Sequence, residues 1–208
     1  MVATGAGTVK YHSAMPADIA TLEPLAGAHQ HRGRLLEGMA IAVARKGYGD
    51  TTIADIVREA SVSRRTFYEH FATKADCLVA LYEAASHNAL QVLRDAIDPR
   101  HDWEVQVERA LRAYLEAMAS NPVLLRTLFV EILHLGPEGL AARRRVHQEI
   151  ADYMLDVVGR GRVTPELAMA VVGGIHELVL QAIEQGRVER LAELTPTASR
   201  LVRAVVQG

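Results

Sequence analysis

The stretch that decides the fold is TTIADIVREASVSRRTFYEHF, residues 51–71. Thr52, followed three residues later by Asp55, forms a reciprocal N-terminal helix cap, and Ile53, Ile56, Val57 and Ala60 share one face of the short helix it opens. Ser61 and Val62 break that helix and Ser63 caps the next. There Phe67 and Phe71, four residues apart, turn inward together while Arg64, Arg65, Tyr68 and Glu69 point elsewhere. The pattern predicts two short helices joined by a tight turn.

Outward from this unit the chain stays helical. Before it, Leu35, Leu36, Met39, Ala40, Ala42 and Val43 form a broad apolar stripe that starts at Gly33 and ends at Gly47. Residues 1–30, rich in Gly, Ala, Thr and Pro, show no sustained period and are expected to form a flexible arm. After it, Thr73 with Asp76 opens a long helix through Leu78, Leu81, Leu90, Leu93 and Ile97 that stops before Pro99. Asn121-Pro122, Thr164-Pro165 and Thr195-Pro196 each set a capping side chain before a proline, which loses nothing at a helix's first position. Further helices are expected over 102–119, 122–134, 138–158, 165–186 and 196–206. No segment alternates with a strand's period, so the fold class is all-α with about nine helices.

Composition narrows the partners. The chain has 208 residues, half of them apolar, enough for a full core without staples, and a formal charge of -2 that announces no nucleic acid globally. Any DNA-reading surface must be local. Cys77, the single cysteine, excludes an internal disulfide and any Cys-pair zinc site and suits a reducing cytoplasm. No run of about 18 uninterrupted apolar residues and no signal-peptide pattern stands out, so a cytoplasmic protein with no membrane partner is expected.

Two short helices between longer ones have the architecture of a helix-turn-helix, but any helical bundle contains such hairpins. The side chains make the difference. Ser63-Arg64-Arg65-Thr66 places two guanidiniums and a hydroxyl on the exposed first turn of the second short helix, the end that meets base edges in a recognition helix. Tyr68 and His70 follow within reach of a DNA backbone, Lys74 offers a point charge for phosphate, and Thr52 brings a hydroxyl near it.

The run from Thr51 to Phe71 with Lys74 resembles the signature of the tetracycline-repressor (TetR) family nearly position by position: its Thr-Thr pair, Ala60-x-Val62-Ser63, Thr66-Phe67-Tyr68-x-His70-Phe71 and the following lysine. Ser61 stands where that family usually has a glycine. The resemblance covers about 50 residues. It implies a helix-turn-helix DNA-binding domain over 31–78, with Arg64, Arg65 and Thr66 facing the groove, Tyr68, His70 and Lys74 on the backbone and Thr52 anchoring the preceding helix. It also implies a helical effector-binding and dimerisation domain over 79–208. The family pattern is a repressor that binds a palindromic operator as a homodimer and is released by a small molecule. His29, His31, Arg32 and Arg34, just before the first helix, either reach the adjacent minor groove or belong to the flexible arm.

One recognition helix reads too few base pairs for useful specificity, so a second copy is required. The last two long helices are apolar for their length, and Val172, Gly173, Ile175, Val179, Ile183, Leu201, Val202 and Val205 are the expected interface. Trp103, Tyr114, Met118, Phe129, His134, Met154 and His176 are candidate effector-pocket residues, though each could equally fill a core. Their few charges point to a mostly apolar effector. Enzyme signatures are broken: His176-Glu177 has Leu180 where a zinc-protease motif needs its second histidine, and no phosphate loop or nucleophile elbow occurs. No cofactor or metal is expected. The remaining alternative is a helical adaptor that binds no DNA.

Overall fold

The computed structural model describes residues 28–98, 100–159 and 161–208. Most of the expected arm therefore lies outside the described residues. Among those described there are nine α-helices and no strand: α1 (Ala28–Asp50), α2 (Ile53–Glu59), α3 (Arg64–His70), α4 (Lys74–Asp95), α5 (Trp103–Ala119), α6 (Pro122–Val130), α7 (Pro137–Val158), α8 (Pro165–Glu184) and α9 (Thr195–Gln207). Short 3-10 turns, Glu131–Leu135 and Val188–Leu194, follow α6 and α8.

Most helix signals act where the sequence places them; the exception is Thr195, which is the first residue of α9 and donates its hydroxyl back to the Ala192 carbonyl at 2.7 Å instead of capping the helix. Thr52 and Thr73 each accept from the amide three residues on, Asp55 and Asp76 answer with their carboxylates, and Ser63 accepts from the Thr66 amide. Gly47, at φ 76°, breaks the regular path of α1. Two boundaries differ from expectation. α1 begins at Ala28, so Arg32 and Arg34 are helical residues that pack on the head, Arg32 over the Phe71 ring and Arg34 donating to the Ser61 carbonyl at 2.7 Å. The helix expected over 122–134 tightens into a 3-10 turn from Glu131, because α7 packs so closely that a Cβ at Gly139 would lie 1.9 Å from the Ile132 carbonyl oxygen.

α1, α2 and α3 form a small head around Leu35, Met39, Ile56, Phe67 and Phe71, all buried. Gly38 sets its closeness, since a Cβ there would come within 2.6 Å of the Ile56 carbonyl oxygen. α4 joins head to body, and Cys77, Leu78 and Leu81 continue the same core into Ala142, Val146 and Ile150 of α7. α8 is long and apolar enough to cross a membrane by length and composition, but Val171, Val172, Ile175, Val179, Ala182 and Ile183 are buried in the body.

Candidate nucleic-acid interface and effector cavity

α3 is seven residues long, too short to persist alone, and is held from one side by Phe67, which is fully buried. Anchoring that face turns the other outward. Arg64, Arg65, Tyr68 and Glu69 are exposed, Tyr68 at 59% with its ring edge-on to Phe67. Arg65 pairs with Glu69 at 3.0 Å, an exposed contact worth less than about 1 kcal/mol that a stronger acceptor can displace. Thr66 and His70 are half-buried at the flank, and the Thr66 hydroxyl lies 2.9 Å from that of Ser63.

Lys74 takes a different place from the one expected. Its ammonium donates to the carbonyls of Tyr48 at 2.8 Å and Thr51 at 2.7 Å and sits 4.1 Å from the centre of the Tyr48 ring. Its charge is spent on holding the turn before α2, and through that turn it positions Thr52. The Thr52 hydroxyl itself donates to Asp55, whose carboxyl is held below the usual carboxylate range by Lys46 first and then by Thr52.

Between α2 and α3 the chain turns at Ser61, with φ 50°, the one non-glycine at positive φ among the described residues. A side chain costs about 1–2 kcal/mol in that conformation relative to glycine. Ser61→Gly is therefore expected to raise the unfolding free energy by about 1 kcal/mol, read as a higher midpoint in urea with an unchanged slope.

In the body, Tyr114, Met118, Phe129 and His176 line one cavity of about 350 Å³ between α1, α4, α5, α6 and α8, together with Glu37, Tyr82, Asn88 and Leu125. Three other candidates lie elsewhere. Trp103 packs against the α5–α8–α9 core, Met154 lines a separate apolar gap of about 70 Å³, and His134 is exposed with its Nδ1 3.0 Å from Glu131. Glu37 and Tyr82 gave no sequence signal, since each falls on a helical stripe like any other residue there.

Behind the cavity wall runs a buried polar chain. Tyr114 Oη lies 3.0 Å from His176 Nε2, and His176 Nδ1 lies 2.6 Å from His147 Nε2. Burial holds His147 down to about 4 and His176 down to about 3, with Arg143 adding to both, so both rings are neutral at pH 7. Protons can then run from Tyr114 toward His147, or the reverse way, which frees the phenolic hydrogen for the cavity. Unfolded histidines titrate near 6.5, so the unfolded chain binds protons that the folded chain refuses. This contribution to stability is complete above about pH 6.5 and falls as the pH drops toward 4. Calorimetric midpoints should decline from pH 7 to pH 5, and His176→Gln should flatten that slope.

The expected dimer residues divide. Val172, Ile175, Val179, Ile183 and Val202 are buried within the single chain. The first four are core residues because α8 is apolar on more than one side and this stripe faces α5 and α7, and Val202, on α9, packs against Val107 and Leu111 of α5 and Val171 and Ile175 of α8. Gly173, by contrast, has open space beside it, Leu201 and Val205 are half-buried, and Leu167 is 46% exposed. Cys77 is fully buried, and burial pushes its thiol up to about 12.

Comparison with known proteins agrees with this geometry. Residues 36–81 match the family model described as bacterial regulatory proteins, tetR family. The HTH-type transcriptional regulator UidR of Escherichia coli K12 is 24% identical over 189 residues, 87% of this chain and 93% of UidR. The uncharacterized HTH-type regulator YxbF of Bacillus subtilis is 27% identical over 84 residues, and the chain spans 22% of its length. FadR from Bacillus subtilis, solved in complex with stearoyl-CoA, shares the fold with a TM-score of 0.70 at 15% identity, over 81% of this chain and 96% of FadR. With α1 to α4 carrying the matched segment, residues 36–81 form a helix-turn-helix of the tetR type, and over most of its length the chain is similar to HTH-type regulators of transcription.

Proposed function

We propose that this protein is a cytoplasmic repressor that binds a palindromic operator as a homodimer and is released by a small, mostly apolar effector. The observation that carries the reading is α3 itself: a capped helix fixed by Phe67 from behind, with Arg64 and Arg65 exposed on its first turn. Arg64, Arg65 and Thr66 read base edges, and Ser63, Tyr68, His70 and the α2 end at Thr52 contact the backbone. Lys74 supports them by fixing the turn before α2.

The second copy docks on the outward side of α8 and α9, where Leu167, Gly173, Leu201 and Val205 remain accessible. The effector occupies the cavity lined by Tyr114, Met118, Phe129 and His176. Seven of its lining positions lie on α4, which begins at Lys74, and two lie on α1, so a ligand that reshapes the cavity acts on both helices that carry the head. Release follows if the ligand favours a state in which the two α3 helices no longer match successive major grooves.

The test is selection from random-sequence duplexes by the purified chain at fixed salt, followed by sequencing and by light scattering of the enriched complex. An inverted repeat with half-site centres about 34 Å apart, bound by two protomers, supports the reading. No enrichment at low salt would favour a helical adaptor that binds no DNA.

A further inference from the structure

Among the described residues, the cavity proposed for the effector carries one carboxylate and no cation. Glu37, on α1, lines it, and neither lysine nor arginine is among the lining residues. Glu37 is half-buried and makes no hydrogen bond or ion pair with another described residue. The other titratable groups lining it are Tyr82, Tyr114 and His176, all uncharged at neutral pH because burial disfavours their ionised forms. Arg143, the cation that bears on His147 and His176, lies on α7 outside the lining set.

This arrangement sorts ligands by charge. A carboxylate on an otherwise apolar cavity wall attracts a ligand cation and repels a ligand anion, and the described lining residues offer an anion no counter-charge. The aromatic side chains of Tyr82, Tyr114 and Phe129 add polarisable wall, and the remaining wall, with Leu81, Leu125 and Leu128, takes an apolar body. At about 350 Å³ the space is at the small end of the roughly 300–1,000 Å³ usual for ligand pockets, so the ligand is compact. The stearoyl-CoA held in the FadR structure, a multiply anionic ligand, is the wrong chemistry for this lining.

We propose that the cavity selects a compact apolar molecule bearing a single cationic centre, such as a protonated amine, with Glu37 as its counter-charge. This rests on the cavity being the effector site. The position of Glu37 also gives the charge a direct route to the head. The next residue, Gly38, is packed so tightly on α2 that a Cβ would lie 2.6 Å from the Ile56 carbonyl oxygen and 2.9 Å from the Ala60 nitrogen. A cation that draws on Glu37 therefore draws on the helix to which α2 is fixed.

The test is calorimetric titration of the full chain at pH 7 with three probes of one skeleton: 4-phenylbutylamine, 4-phenylbutanol and 4-phenylbutyrate. The amine should bind about tenfold tighter than the alcohol, the margin of one charge-assisted contact, with the carboxylate weakest. Glu37→Gln should erase the difference between amine and alcohol, and Glu37→Asp should retain most of it. Met118→Trp, which fills the cavity, should abolish binding of all three. A wild type that binds alcohol or carboxylate as tightly as amine, or an amine preference that survives Glu37→Gln, overturns the charge assignment while leaving the cavity as the site. Binding that persists in Met118→Trp, or no binding of any probe, overturns the site itself and the inference with it.

Discussion

Replacing Arg64 and Arg65 together by alanine is expected to weaken binding to a selected operator by at least about 100-fold, with the fold intact. Each arginine that bonds a guanine's two major-groove acceptors contributes about 1–3 kcal/mol of discrimination, and both stand on the exposed first turn of α3. Arg64 makes no hydrogen bond or ion pair with another described residue. Among the described residues Arg65 makes its one ion pair with Glu69, solvated and worth under about 1 kcal/mol, and alanine is the better helix former. The thermal midpoint should therefore stay nearly constant while affinity, followed by fluorescence anisotropy at fixed salt, collapses. Equal affinity for wild type and variant would remove α3 as the reading element.

Phe67→Ala should fail in the opposite way, losing stability first. The side chain is fully buried, 5.8 Å from the Phe71 ring, in the core that also contains Leu35, Met39 and Ile56. Truncating a buried phenylalanine costs about 3–5 kcal/mol, and in a chain of this size that lowers the thermal midpoint on the order of 10 °C. Because the core runs without interruption from the head through α4 into α7, one transition is expected in circular dichroism, shifted as a whole. A midpoint within 2–3 °C of wild type would mean that Phe67 does not anchor α3; roughly, the expected shift is several times larger.

What the sequence made legible was whatever is encoded locally. The Thr52–Asp55 and Thr73–Asp76 caps, the Ser63 cap and the Asn121 and Thr164 caps ahead of their prolines each lie within four residues of what they organise, and the helices begin and end close to them. Phe67 and Phe71 reported the inward face of α3 by spacing alone. The start of α1 was hidden because its first residues, Ala28 to Gln30, carry no apolar stripe. The turn over Val188–Leu194, organised around the fully buried Leu191, has no capping signal of its own.

The misplacements share one cause. Val172, Ile175, Val179 and Ile183 form a single stripe on α8, but a helix apolar on several sides does not say which stripe meets its own chain and which meets another. Lys74 is fixed by carbonyls more than twenty residues earlier. Glu37 reaches the cavity only because α1 packs against α4 and α6. Tyr114 and His176, 62 residues apart, were recognisable as candidates by type, whereas Trp103, His134 and Met154 share that type and lie elsewhere. Contacts between distant segments decide these cases.

The most direct test of the central claim, that α3 reads the major groove, is methylation interference on the enriched duplex. Methyl groups at guanine N7 lie in the major groove and those at adenine N3 in the minor groove. The account predicts that N7 methylation blocks binding at guanines placed symmetrically in two half-sites, and that N3 methylation between them does not. Interference confined to adenine N3, or N7 methylation without effect in both half-sites, would contradict it.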